Sequence, residues 1–111
     1  MSGLATLRQG VSTTATIAAS GTKTDAIEAK ASVSFGVVIP SGFTGTTVTF
    51  EVSADNTTYQ ALNNTSGAVS MTVAAGKSYT LPADLTPWPW FKIVSGSTES
   101  SARSLVIVRK R

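Results

Sequence analysis

Apolar and polar residues alternate along most of this chain with a period of two. Val33, Phe35, Val37 and Ile39 fall on one side of a run from Ser32 to Ile39. Val48, Phe50 and Val52 repeat the pattern between Thr46 and Ser53, opposite Thr47, Thr49 and Glu51. Such alternation marks strands with one face in a core and one in water. Val11 to Ala18 alternates in the same way and ends at Ser20-Gly21. Thr22 to Lys30 is ambiguous and is read as a second strand, because it is too short for a stable helix. Asp55-Asn56 predicts a two-residue type I′ hairpin turn, since both residue types tolerate φ > 0. Thr57 to Leu62 is then the return strand, and Asn63 to Gly67 a loop. Ala68–Val73 and Lys77–Leu81 read as a hairpin across Ala74-Ala75-Gly76, and Pro82 to Pro89 as a connection with room for one helical turn. Trp90–Val94 and Ser104–Val108 complete the set.

Eight or nine short strands at this spacing predict an all-β fold: an antiparallel two-sheet β-sandwich with jelly-roll-like connections. The expected core is Val33, Phe35, Val37, Val48, Phe50, Val52, Ile93, Leu105 and Ile107. Residues 11–111 form the single domain, preceded by an N-terminal arm, residues 1–10, whose Leu4, Leu7 and Arg8 lie outside the strand pattern. Such an arm reads equally as a floppy terminus or as a segment that orders on a neighbouring subunit. With 111 residues, the chain can bury about 65% of its extended surface, enough for one core without staples.

Composition narrows the chemistry. Cysteine and histidine are both absent, which removes disulfides, thiol nucleophiles, zinc fingers and histidine-based triads. Ser and Thr make up 32 of the 111 residues, while charged residues are only 14%, against about 25% in an average domain. No pair of carboxylates stands out as acid and base: Asp25 and Glu28 are flanked by Lys23 and Lys30 in a solvated segment. Asp55-Asn56-Thr57 lacks the acidic spacing of a calcium loop, and Gly42 and Gly45 open a strand where a phosphate cradle would open a helix. The expectation is a protein with no catalysis, metal or cofactor.

The net charge of +3 comes from Arg109, Lys110 and Arg111; the remainder is formally neutral. That terminal cluster reads as a solvated, frayed end or as a contact for an acidic partner, and it is too small for specific nucleic-acid recognition. Trp88-Pro89-Trp90-Phe91 is the densest aromatic cluster. Core packing and partner binding compete for Trp88 and Trp90. No run reaches the roughly 20 apolar residues of a membrane helix, and the first residues do not read as a signal peptide.

Phe35-Gly36-Val37-Val38-Ile39-Pro40-Ser41-Gly42-Phe43, followed by Val48-Thr49-Phe50-Glu51-Val52-Ser53-Ala54-Asp55, resembles small β-sandwich structural proteins of tailed bacteriophages. Phe91-Lys92-Ile93-Val94-Ser95-Gly96 and Arg103-Ser104-Leu105-Val106-Ile107-Val108 continue the likeness, which spans residues 11–110. Asn56 departs from it, standing where glycine is usual. The resemblance implies a virion component of the head decoration, or cement, type. Such a protein is made in the bacterial host cytoplasm and seated on the capsid surface. Its partners would be the major capsid protein and itself, as a trimer at a three-fold lattice position. The partner-binding residues expected are Leu4, Leu7, Arg8, Trp88, Trp90, Arg109, Lys110 and Arg111. The competing readings are a carbohydrate-binding or adhesin-like module, using Trp88, Trp90 and Tyr59, and a tail or neck component.

Overall fold

The computed structural model describes residues 11–29 and 34–110. Met1 to Gly10, Val33 and Arg111 lie outside them, and with them the expected arm and one expected core position. The strands are β1 (Val11–Ile17), β2 (Ile27–Glu28), β3 (Ser34–Val38), β4 (Thr47–Ser53), β5 (Gln60–Ala61), β6 (Asn63–Asn64), β7 (Gly67–Ala68), β8 (Ser70–Thr72), β9 (Ser78–Thr80), β10 (Trp90–Ser95) and β11 (Arg103–Lys110). A 3-10 turn, Ala83–Leu85, sits in the connection before β10.

All the pairings are antiparallel. The first sheet has the order β1-β11-β3-β9, and the second β2-β10-β4, with β5 and β8 sharing the far side of β4. Without the small β5–β7 excursion, eight strands remain, divided between the sheets in jelly-roll order. The eight expected core residues within the described part are all buried, joined by Ile17, Leu85 and Phe91 among others. Phe35 of the first sheet meets Phe91 of the second edge-to-face, ring centroids 5.1 Å apart, a geometry favoured by the ring quadrupoles.

Four readings from the sequence need correction. The strand read over Thr22–Lys30 shrinks to Ile27–Glu28. Before it the chain crosses the mouth of the sandwich, with isolated bridges from Thr24 to Ile17 and from Lys23 to Val94. Thr24 is buried there, its Oγ1 accepting from the Ile93 amide at 3.1 Å. The hairpin read across Ala74-Ala75-Gly76 does not exist. β8 pairs with β4 in the second sheet and β9 with β3 in the first, so that turn passes between the sheets. Alternation reveals a strand but not its neighbour. The expected loop at Asn63 to Gly67 contains a further small hairpin, β6 with β7.

The two-residue turn at Asp55-Asn56 is the fourth. Asn56 has φ 60°, but Asp55 is not left-handed, and only Gln60 and Ala61 return to β4. The connection is longer because the Asp55 carboxylate organises it. Its Oδ1 accepts from the Thr57 amide at 2.9 Å, the Thr58 amide at 3.0 Å and Ser53 Oγ at 3.0 Å. Those donors, Thr58 foremost, hold its carboxyl below the usual 3.8. Asp55→Ala is expected to speed hydrogen exchange at the Thr57 and Thr58 amides and leave Phe50 protected. Two-dimensional NMR exchange spectra check this.

Candidate functional site

The outer face of the first sheet follows from strand parity. Leu105 and Ile107 of β11 point inward and are fully buried, as are Phe35 and Val37 of β3 and Ala15 and Ile17 of β1. Alternation therefore sends Val106, Val108 and Lys110, Gly36 and Val38, Ser12 and Thr14 outward. The register aligns these in rows: Thr14, Val106, Val38 and Ser78 form one, and Ser12, Val108, Gly36 and Thr80 the next. Val38, Val106 and Val108 are 38%, 37% and 39% exposed, the large exposed hydrophobics among the described residues. Hydroxyl side chains flank them on both sides, and Lys110 supplies a charge at one end.

Gly36 leaves an open trough between Val38, Val108, Ser78 and Thr80. A Cβ at this position would make ordinary contacts, 3.4 Å from the Tyr79 carbonyl oxygen and 4.0 Å from Val108 Cβ. Backbone sterics do not demand this glycine. What it provides is the depression itself.

The valines were legible in one respect. Leu105-Val106-Ile107-Val108 and Val37-Val38-Ile39 are unbroken apolar runs, and a strand that is apolar on both faces has something to cover on each. Read only for the core, these runs lose their second face.

The outer face of the second sheet is different in kind. Phe91 is fully buried, so Trp90 and Lys92 project outward from β10. Lys92 Nζ lies 4.4 Å from the centroid of the Tyr59 ring, and the Tyr59 hydroxyl donates to Asn56 Oδ1. Desolvation first, and the nearby Asp55 charge second, raise the Tyr59 pKa. Lys23 pairs with Glu51 at 2.7 Å. An ammonium thus occupies one face of the ring on which a sugar would stack. Trp88 is half-buried and packs against the core, and Trp90 is half-buried opposite Glu28 and Ser53. The two indoles have separate surroundings.

Arg109 and Lys110 do not form a frayed end. Both belong to β11, in register with β3, and Arg109 is also in register with β1. Arg109 Nη1 donates to the Glu28 carbonyl, tying the first sheet to the second. Leu4, Leu7, Arg8 and Arg111 lie outside the described residues. Among the described residues no three acidic side chains converge as a metal site would need.

Glu99 is the other polar centre, fully buried in the loop between β10 and β11. Its carboxylate accepts from the Thr44 amide at 3.0 Å, the Gly45 amide at 3.1 Å, Ser95 Oγ at 3.0 Å and Arg103 Nε at 2.9 Å. Burial by itself would raise its pKa. The donors, with the Thr44 backbone first and Arg103 next, outweigh that and bring it to about 2. Gly45 is required here, since a Cβ would lie 2.3 Å from Ser95 Oγ. With four donors engaged on its carboxylate, Glu99 is a clamp between two loops. Sequence reasoning missed it because its partners at Thr44 and Gly45 are 55 and 54 residues away.

No family model matches the chain, and no curated protein matches it. Among solved structures, the chain is similar to the SPBc2 prophage-derived protein YomS, with a TM-score of 0.58 and 14% identity over 90% of this chain and 93% of that one. Fainter likenesses run to the Yersinia pseudotuberculosis-derived mitogen, at TM-score 0.39 and 12% identity over 93% of this chain and 86% of that one. A CBM32 module from a family 31 glycoside hydrolase of Clostridium perfringens scores 0.38 at 12% identity, over 86% of this chain and 72% of that one. The first of these shows a shared all-β fold.

Proposed function

We propose that this chain is a non-enzymatic structural protein of a tailed-phage virion, of the head decoration type, docking on the major capsid protein through the outer face of its first sheet. The observation that carries the reading is the uncharged Ser/Thr field around Val38, Val106 and Val108. Contiguous exposed apolar side chains on a folded domain mark interaction sites, and the trough at Gly36 can receive a projecting side chain. The resemblance in sequence to virion proteins and the fold shared with a prophage-derived protein support the same reading. Binding would come from apolar burial and shape, with little dependence on salt, because Lys110 is the charge at the edge of the field.

The test is decoration of purified capsids. Wild-type protein is expected to co-sediment with particles in copy numbers on the scale of the capsid lattice, counted by quantitative mass spectrometry. Val108→Glu places a charge in the centre of the field, and Gly36→Leu fills the trough. Each is expected to reduce binding at least 10-fold with an unchanged β circular-dichroism spectrum. Undiminished decoration by both variants would overturn the docking face. Six or twelve wild-type copies per particle would instead point to a neck or tail position.

A further inference from the structure

The edge of the first sheet carries a second inference, independent of what the valine face binds. The Thr16 amide donates to Asp25 Oδ1 at 2.9 Å, and the Thr16 carbonyl accepts from the Asp25 amide at 3.2 Å. Both backbone groups of Thr16 therefore point away from β11. In an antiparallel strand alternate residues share that direction, so the N–H and C=O groups of Thr14 and Ser12 point outward too. Among the described residues nothing pairs with them there.

The other sheet edges are blunted. β2 and β5 are two residues long, and β8 and β9 are three. The chain also reaches Pro82 two residues after β9. β1 is seven residues long, in unbroken register with β11, and its sequence Val-Ser-Thr-Thr-Ala-Thr-Ile has no charge and no proline. Folded chains protect exposed edges with lysine, proline, bulges or shortness. β1 uses none of these.

We infer that β1 is an assembly edge that pairs antiparallel with β1 of a second copy, about a twofold axis at Thr13. The strand is complementary to itself. Around that axis Ser12 faces Thr14 of the second copy twice over, each pair exchanging two backbone hydrogen bonds, and hydroxyl side chains oppose one another on the outer face. A symmetric pair sets like residues close together, and an edge without charge has nothing to repel. Two four-stranded sheets become one of eight strands, and the valine rows of both copies share one continuous surface. This twofold contact replaces the threefold one expected from the resemblance.

The chain's lack of cysteine makes the test direct. Thr13 is exposed and would face its own copy in a non-hydrogen-bonded pair, with Cα atoms about 4.5 Å apart, inside the roughly 4.4–6.8 Å range of disulfides. Under mild oxidation Thr13→Cys is expected to give covalent dimer at several times the rate of Ser100→Cys, an exposed control on the loop before β11. Sedimentation velocity of the cysteine-free protein is expected to show a concentration-dependent dimer. Thr14→Lys sets like charges across the axis, and Thr14→Pro removes an outward donor that no internal bond uses. Each is expected to weaken the dimer at least 10-fold with the circular-dichroism spectrum retained. A wild-type protein that stays monomeric at every concentration would overturn the inference. So would assembly without preferential Thr13→Cys cross-linking, or a dimer as strong in Thr14→Lys as in wild type.

Discussion

Glu99→Ala is expected to cost about 3–5 kcal/mol of folding stability, the penalty for leaving a buried charged partner uncompensated. The alanine removes the acceptor for two amides and the Ser95 hydroxyl and strands the Arg103 guanidinium, which is mostly buried beside it. Chemical denaturation read by tryptophan fluorescence measures the loss, and a change under 1 kcal/mol would show that the clamp is not needed. Glu99→Gln keeps the shape but supplies N–H groups where acceptors are wanted, so it should rescue little. The same carboxylate predicts an acid limb. Its folded pKa, about 2, is below the ordinary 4.5, so the unfolded state binds more protons between these values. The contribution is complete above about pH 4.5 and is lost as pH falls towards 2. In Glu99→Ala this part of the acid dependence should be missing from a pH series of denaturation midpoints.

The second large effect belongs to Phe91→Ala, expected to cost about 3–5 kcal/mol for an aromatic ring removed from a packed core. Phe91 is fully buried and is the second-sheet half of the edge-to-face pair with Phe35. The cavity would open between the sheets, where neither can relax without losing register. Phe50→Ala, equally buried on β4, should fall in the same range. A loss under 1 kcal/mol at either position would place that ring outside the core.

Most of the sandwich was legible because its signal is local. Period-two alternation located β1, β3 and β4, apolar runs located β10 and β11, and the expected core residues on them are buried wherever they are described. Pairing was less legible, since partners are chosen by topology. The run after Ala74-Ala75-Gly76 looks like the second arm of a hairpin until the sheet order assigns it to the other layer. The turn at Asp55 failed for a different reason. A side-chain acceptor can take over hydrogen bonds that turn tables assign to the backbone, and the carboxylate holds three donors there. Glu99 was missed because Ser95 and Arg103 four residues either side do not mark a buried site, and the two amides that complete it come from Thr44 and Gly45, far back in the chain. The interaction surface was half visible: apolar residues at both parities of β11 announce a second apolar face, but composition and motif directed attention to Trp88, Trp90 and the terminal cations instead.

The position of β11 determines when this chain can fold. It is the last strand described, yet it lies inside the first sheet, between β1 and β3. During synthesis β1 emerges about ninety residues before β11, its ladder partner among the described residues, and β3 lacks one neighbour for almost as long. The second sheet can pair β4 with β8 early, but the first has no middle until residues 103–110 leave the ribosome. Closure of that sheet therefore waits for β11, is dominated by contacts distant in sequence and is slow on that account. Until then the bare flanks of β1 and β3 are open to strands of neighbouring nascent chains.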